Sequence, residues 1–175
     1  MNTHAKSSEP AAKGAAPQPR LNYAEQSPQE VKKLTELVLL AHSSSIEQPI
    51  RDLVALRASQ INGCAFCIDM HVKEAKIHGE RELRLYHVSA WHESTLFTPR
   101  ERAPLAWAEI MTRLPEGGVP DEIYEKVRTQ LSEKEISDLT FFIAVINSWN
   151  RLGIGFKTMP GSLDAMYGLT KAGLN

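Results

Sequence analysis

Cys64, Cys67 and His71 are the side chains whose types and spacing could do chemistry together. They lie in Gln60-Ile61-Asn62-Gly63-Cys64-Ala65-Phe66-Cys67-Ile68-Asp69-Met70-His71, and the two cysteines are the only ones in the chain. On a helix, positions i, i+3 and i+7 share one face. Gly63 stands where such a helix could begin, which puts the sulfurs at the positive end of the helix dipole, where a thiolate is stabilised. The pair can close to a disulfide with little chain movement, and the imidazole can carry protons to or from sulfur. The pattern reads as a redox-active dithiol with its own base. Taken alone, a C-x-x-C pair also suits a metal half-site or two unpaired core thiols, and His71 suits a satisfied core histidine. A tetrahedral zinc site would need a further ligand from elsewhere in the chain. A c-type haem would need His directly after the second cysteine, and Ile68 is there.

The elements that must position these residues read as helices throughout; no segment alternates with period two, so the fold class is all-α, with about seven helices. Ser27-Pro28-Gln29-Glu30 has the capping-box pattern and opens a helix carrying Val31, Leu34, Leu37, Val38 and Ala41. Pro49 opens a second, over about 50–59, apolar nearly all round and therefore buried. The third, 64–78, carries the cysteines and stops at Gly79. A fourth spans about 80–92, with Leu83, Tyr86, Val88 and Trp91 as core contacts. Thr98-Pro99-Arg100-Glu101 and Ser132-Glu133-Lys134-Glu135 are further capping boxes. They open the fifth helix and the longest one, 133–152, which is placed against the cysteine helix; a short helix after Pro120 lies between them. Residues 153–175 form an extended arm or a short helix near 162–167. The three tryptophans are assigned to core or interface, and His78, His87 and His92 to surface or packing.

At 175 residues the chain suits one domain. A net charge of −1 without a dense basic block argues against nucleic acid, and no apolar run approaches a membrane span. Two cysteines behind an Ala/Pro/Lys/Ser/Gln-rich start suggest a reducing compartment, hence a cytoplasmic protein and a cycling pair.

The run from Asp52 through Arg57, Gln60 and Asn62 to Cys64, Cys67, Asp69 and His71 resembles the signature of the AhpD-like, or carboxymuconolactone decarboxylase, family, in its alkylhydroperoxidase-like branch. Trp91-His92-Glu93, Phe97 to Ala103 and Ile146 to Arg151 extend the resemblance. It implies an AhpD-like helical bundle over 23–156; the composition outside it, poor in large apolar residues at the start and glycine-rich at the end, reads as a disordered or loosely packed N-terminal tail, 1–22, and a C-terminal arm, 157–175. The resemblance also implies a homo-oligomer, trimer or hexamer, with no metal or haem cofactor. The implied activity is a thiol-dependent alkyl hydroperoxide reductase, re-reduced by a dithiol or thioredoxin-like partner. Cys64 and Cys67 match the redox pair and His71 the proton relay. The family's relay glutamate falls at Asp52, a shorter carboxylate, and a histidine found before the second cysteine is here Phe66.

On this reading Cys67, one turn from His71, attacks the peroxide. Cys64 resolves the sulfenic acid and, by analogy with thioredoxin-type motifs, is the more exposed sulfur that the reductant attacks. The alternatives are a non-catalytic, redox-responsive oligomer and a lyase of the wider family's decarboxylase type.

Overall fold

The computed structural model describes residues 18–174, so most of the loose tail expected over 1–22 lies outside the described residues. Among the described residues there are nine α-helices and no strand: α1 (Tyr23–Gln26), α2 (Pro28–His42), α3 (Gln48–Asn62), α4 (Ala65–Ile77), α5 (Glu82–His87), α6 (Pro99–Thr112), α7 (Asp121–Arg128), α8 (Glu133–Phe156) and α9 (Asp164–Tyr167). Short 3-10 turns follow α5 at Val88–Ala90 and α9 at Leu169–Ala172. None of these helices is long and apolar enough to cross a membrane.

α3 is the central post. Nine of its side chains are buried, from Ile50 to Ser59. One side faces α6 and α8 through Ile50, Val54 and Ala58, against Trp107, Leu139, Ile143 and Ile146. The other side presents Leu53 and Leu56 to Ala75 of α4 and to Leu85, Val88, Trp91 and Leu105. Each fully buried aliphatic side chain contributes about 1.5–3 kcal/mol, so α3 anchors both clusters. The apolar-all-round pattern expected for this helix is thus explained by a helix with packed neighbours on two sides.

Both long capping boxes form. Thr98 and Ser132 each accept from the backbone N–H three residues on, and Glu101 and Glu135 reach back to the cap N–H. The box expected at Ser27 does not. Ser27 is also the stop of α1, where its N–H donates to the Tyr23 carbonyl at 2.9 Å, and its hydroxyl makes no cap bond. The expected fourth helix is shorter, because the chain tightens into the 3-10 turn after His87. Leu83 and Tyr86 face solvent, whereas Val88 and Trp91 are buried as expected. α8 runs on to Phe156, four residues past its expected end, and Lys157 closes it in the left-handed region. It packs chiefly on α3 and α6 and reaches α4 at its C-terminal end.

The segment after α8 is neither extended nor free. Arg20 ties the described start of the chain to its root, donating through its backbone N–H to the Phe156 carbonyl and through its guanidinium to Gly155 O. Beyond it, Leu169 and Ala172 are buried and the 3-10 turn packs on α4. Lys73 of α4, itself buried, holds Asp164 at 2.6 Å and Asp69 at 2.8 Å, and Asp69 also accepts from Gly161 N.

Candidate active site

The α3–α4 junction explains where the sulfurs sit. Gly63 adopts φ 72°, the left-handed conformation that costs glycine little. The Cys64 N–H then donates back to Ser59 O at 3.1 Å, which closes α3 with a Schellman motif. The same Cys64 is the N-cap of α4, and its Sγ accepts from the Cys67 N–H at 3.3 Å. The sulfurs are bonded to each other, with Cα atoms 5.3 Å apart. A dithiol at the start of a helix was legible in the sequence, and the junction supplies the turn that makes it.

Both cysteines are 1 % exposed, and their surroundings differ. Cys67 borders a cavity of about 430 Å³ formed by α2, α3, α4, α8 and the C-terminal arm. Cys64 does not border it and lies against the main chain of α8 at Gly153. The expectation that Cys64 is the more exposed sulfur is not met: the two are equally buried, and the cysteine that borders the cavity is Cys67, while Cys64 caps the helix start. Apolar walls come from Phe66, Met70, Ile77, Phe142, Ile146 and Trp149; Trp149 is half-buried and lines the cavity, outside the two core clusters.

His71 lines the same cavity, and its Nδ1 lies 2.8 Å from Glu74 Oε2. Burial pushes the Glu74 carboxyl up, but the hydrogen bond from His71 and the nearby His78 and His42 outweigh it and hold it below the usual carboxylate range. With Nδ1 donating to this carboxylate, Nε2 is the free, basic nitrogen.

Asp52 also reaches the cavity, but its partners are others. Its Oδ1 accepts from Gln48 at 2.8 Å and its Oδ2 lies 2.9 Å from His78 Nδ1. Burial raises its carboxyl above the ordinary value, and the bonds from His78 and Gln48 offset only part of that. His78, assigned to surface or packing from sequence, is thus an Asp52 partner on the cavity wall. Glu74 is the site residue that the sequence reasoning missed. Its signal was available, since Cys64, Cys67, His71, Glu74 and His78 continue one helical stripe at spacings of three and four.

Behind the sulfurs, α8 supplies a buried amide network. Asn62 Nδ2 donates to Asn147 Oδ1 at 2.8 Å and to Asn150 Oδ1 at 2.7 Å, and Asn150 Nδ2 donates to Ser59 Oγ at 3.0 Å. These bonds pin the last turn of α3, one residue before Gly63, to the long helix. Among the described residues no three His, Cys, Asp or Glu side chains are grouped to hold a metal ion.

Comparison with known proteins agrees with this architecture. The carboxymuconolactone decarboxylase family model matches residues 29–109. The uncharacterized Bacillus subtilis protein YdfG is 42 % identical over 143 residues, spanning 82 % of this chain and 97 % of its own. A crystal structure of the Agrobacterium tumefaciens protein ATU0492, of unknown function and described as a candidate antioxidant defence protein AhpD, superposes with a TM-score of 0.79. It is 42 % identical, covering 82 % of this chain and 98 % of that one. The AhpD-core, peroxidase-related protein of Ralstonia eutropha shares the fold at 17 % identity and a TM-score of 0.71, over 80 % of this chain and 75 % of its own. The all-α bundle, the paired cysteines at its central junction and these relatives together place the chain in the carboxymuconolactone decarboxylase family, with the AhpD-like fold.

Proposed function

We propose that this protein is a thiol-dependent hydroperoxide reductase. The observation that carries the reading is the placement of Cys67, bonded to Cys64 and bordering an apolar cavity that also holds the His71–Glu74 pair. In the reduced protein, His71 Nε2 takes the Cys67 proton and the thiolate attacks the distal peroxide oxygen. The S–O bond forms, the O–O bond breaks, and the alcohol leaves with the proton. Cys64 then attacks the sulfenic sulfur, forming the S–S bond and releasing water. A dithiol reductant restores the pair by two exchanges, supplying two electrons and two protons. The first exchange is at Cys67, the sulfur on the cavity side. Asp52, held by Gln48 and His78, shapes the cavity wall in this scheme and is not the direct partner of His71.

The proposal extends to a homo-oligomer. Leu37 and Leu40 of α2 and Phe141 of α8 expose apolar surface on neighbouring turns, which supports a contact between copies. Sedimentation at micromolar concentration tests it.

The chemical test is a single turnover without oxygen. Reduced protein is mixed with one equivalent of cumene hydroperoxide, alkylated and weighed intact. The reading requires two thiols lost per peroxide consumed, no disulfide in Cys67→Ser, and a trappable sulfenic acid on Cys67 in Cys64→Ser. Oxidation no faster than that of a free thiol sinks it. One oxidation without turnover by a dithiol favours a redox-responsive protein instead.

A further inference from the structure

α8 comes close to the disulfide at Gly153. A Cβ built there would stand 3.0 Å from Cys64 Sγ, 3.5 Å from Cys67 Sγ and 3.8 Å from Phe66 Cδ1. The first distance is well inside ordinary contact, and the obstacle is a sulfur held by its bond and by the Cys67 N–H. Gly153 is also a poor choice for the inside of a 24-residue helix, where alanine is favoured. Gly155 of the same helix carries that cost with nothing at its Cβ position, so what sets Gly153 apart is the sulfur a side chain there would crowd. We propose that Gly153 is a positioning residue for the redox pair, and that its missing side chain sets the balance between the disulfide and the dithiol.

The direction follows from the geometry. In the disulfide neither sulfur can turn without the other, so a methyl group at 153 presses on a fixed Cys64 Sγ. In the dithiol each side chain turns by itself. Cys67 then has the cavity beside it, and the Cys64 Sγ, no longer tied to a second sulfur, is held only by the Cys67 N–H. A methyl group therefore penalises the oxidised state more. The exchange concerned is balanced with a small dithiol. The Cys64–Cys67 bond breaks, two electrons and two protons pass from the donor, and the donor's own disulfide forms.

The inference rests on the reading that the pair cycles but involves no peroxide, so failure of the peroxidase assay and failure of this test are separate results. Full-length protein is equilibrated with reduced and oxidised dithiothreitol, quenched in acid and alkylated, and the oxidised fraction is measured. Gly153→Ala is expected to move the equilibrium about tenfold toward the dithiol, about 30 mV more oxidising. Gly155→Ala is the control. It lies on the same helix with nothing within 4 Å of its Cβ position, and it should stay within twofold of the unaltered protein. A Gly153→Ala shift under threefold, a shift toward the disulfide, or an equal shift in Gly155→Ala overturns the proposal. If Gly153→Ala does not fold, Cys64→Ala/Gly153→Ala decides. Removing the sulfur restores folding if the crowding is at Cys64, and continued misfolding overturns the assignment.

Discussion

Replacing Glu74 with glutamine separates two accounts of how His71 is held. The family resemblance puts the relay carboxylate at Asp52, whereas the structure puts Glu74 on Nδ1 at 2.8 Å. Glu74→Gln keeps the shape and removes the charge that fixes the tautomer with Nε2 free. A hydrogen bond to a charged group contributes about 1.5–3 kcal/mol. The Glu74 side chain keeps 35 % of its exposure, so the lower end applies. About 1.4 kcal/mol is a tenfold loss in rate. The assay is the pseudo-first-order oxidation of reduced protein by cumene hydroperoxide at neutral pH, with His71→Ala as the floor. Glu74→Gln should be about tenfold slow, and Asp52→Asn, whose bonds go to Gln48 and His78, within about threefold. The reverse order, with Asp52→Asn slow and Glu74→Gln unaffected, refutes the reasoning and returns the relay to Asp52.

Three further outcomes are expected. Ser132→Ala and Thr98→Ala should each cost about 1 kcal/mol in urea unfolding, and Ser27→Ala less than about 0.5 kcal/mol, because Ser27 makes no side-chain cap bond. The Arg100 hydrogen bond, opposed by slight burial, holds Glu135 at about 2. Its stabilisation is therefore present above the unfolded carboxylate range and fades as pH falls toward 2. Discounted for solvent screening it amounts to about 1 kcal/mol, and Glu135→Gln should flatten that part of the acid unfolding curve. Lys73 is raised by its bonds to Asp164 and then Asp69, so its own contribution to holding the arm is fully present below the ordinary lysine range, as long as its partners are ionised, and is lost as pH rises through the raised value. Asp164→Asn should give the same release at neutral pH, read as several-fold faster labelling of reduced Cys67 by a bulky maleimide.

The legible part of this fold was local. Helical spacing, two capping boxes and Asn62-Gly63 before Cys64 depend on neighbours in sequence, and they placed the long helices and the sulfurs. The failures were competitions between local signals or pairings across distance. Ser27 has the right pattern but is used to stop α1. Leu83 and Tyr86 face solvent because the buried face of this segment is set by Leu85, with Val88 and Trp91 following it at spacings of three, and the two groups named from sequence do not share a face. Glu74 could have been found by following the cysteine stripe two turns further. The Lys73–Asp164 pair, the Asn62 clamp and the approach of Gly153 to Cys64 join residues about ninety positions apart, and no local pattern encodes them.

The arm has a consequence for how the site is made. Its residues Leu163 to Lys171 close the cavity beside Cys67, yet the ribosome adds them roughly a hundred residues after the cysteines. At about 5–20 residues per second, the nascent dithiol spends on the order of 5–20 s without its wall. In that interval the thiols meet their surroundings without the pocket. On the proposed function, a newly made molecule therefore takes its first oxidation state from the compartment, and the site governs only the cycles that follow.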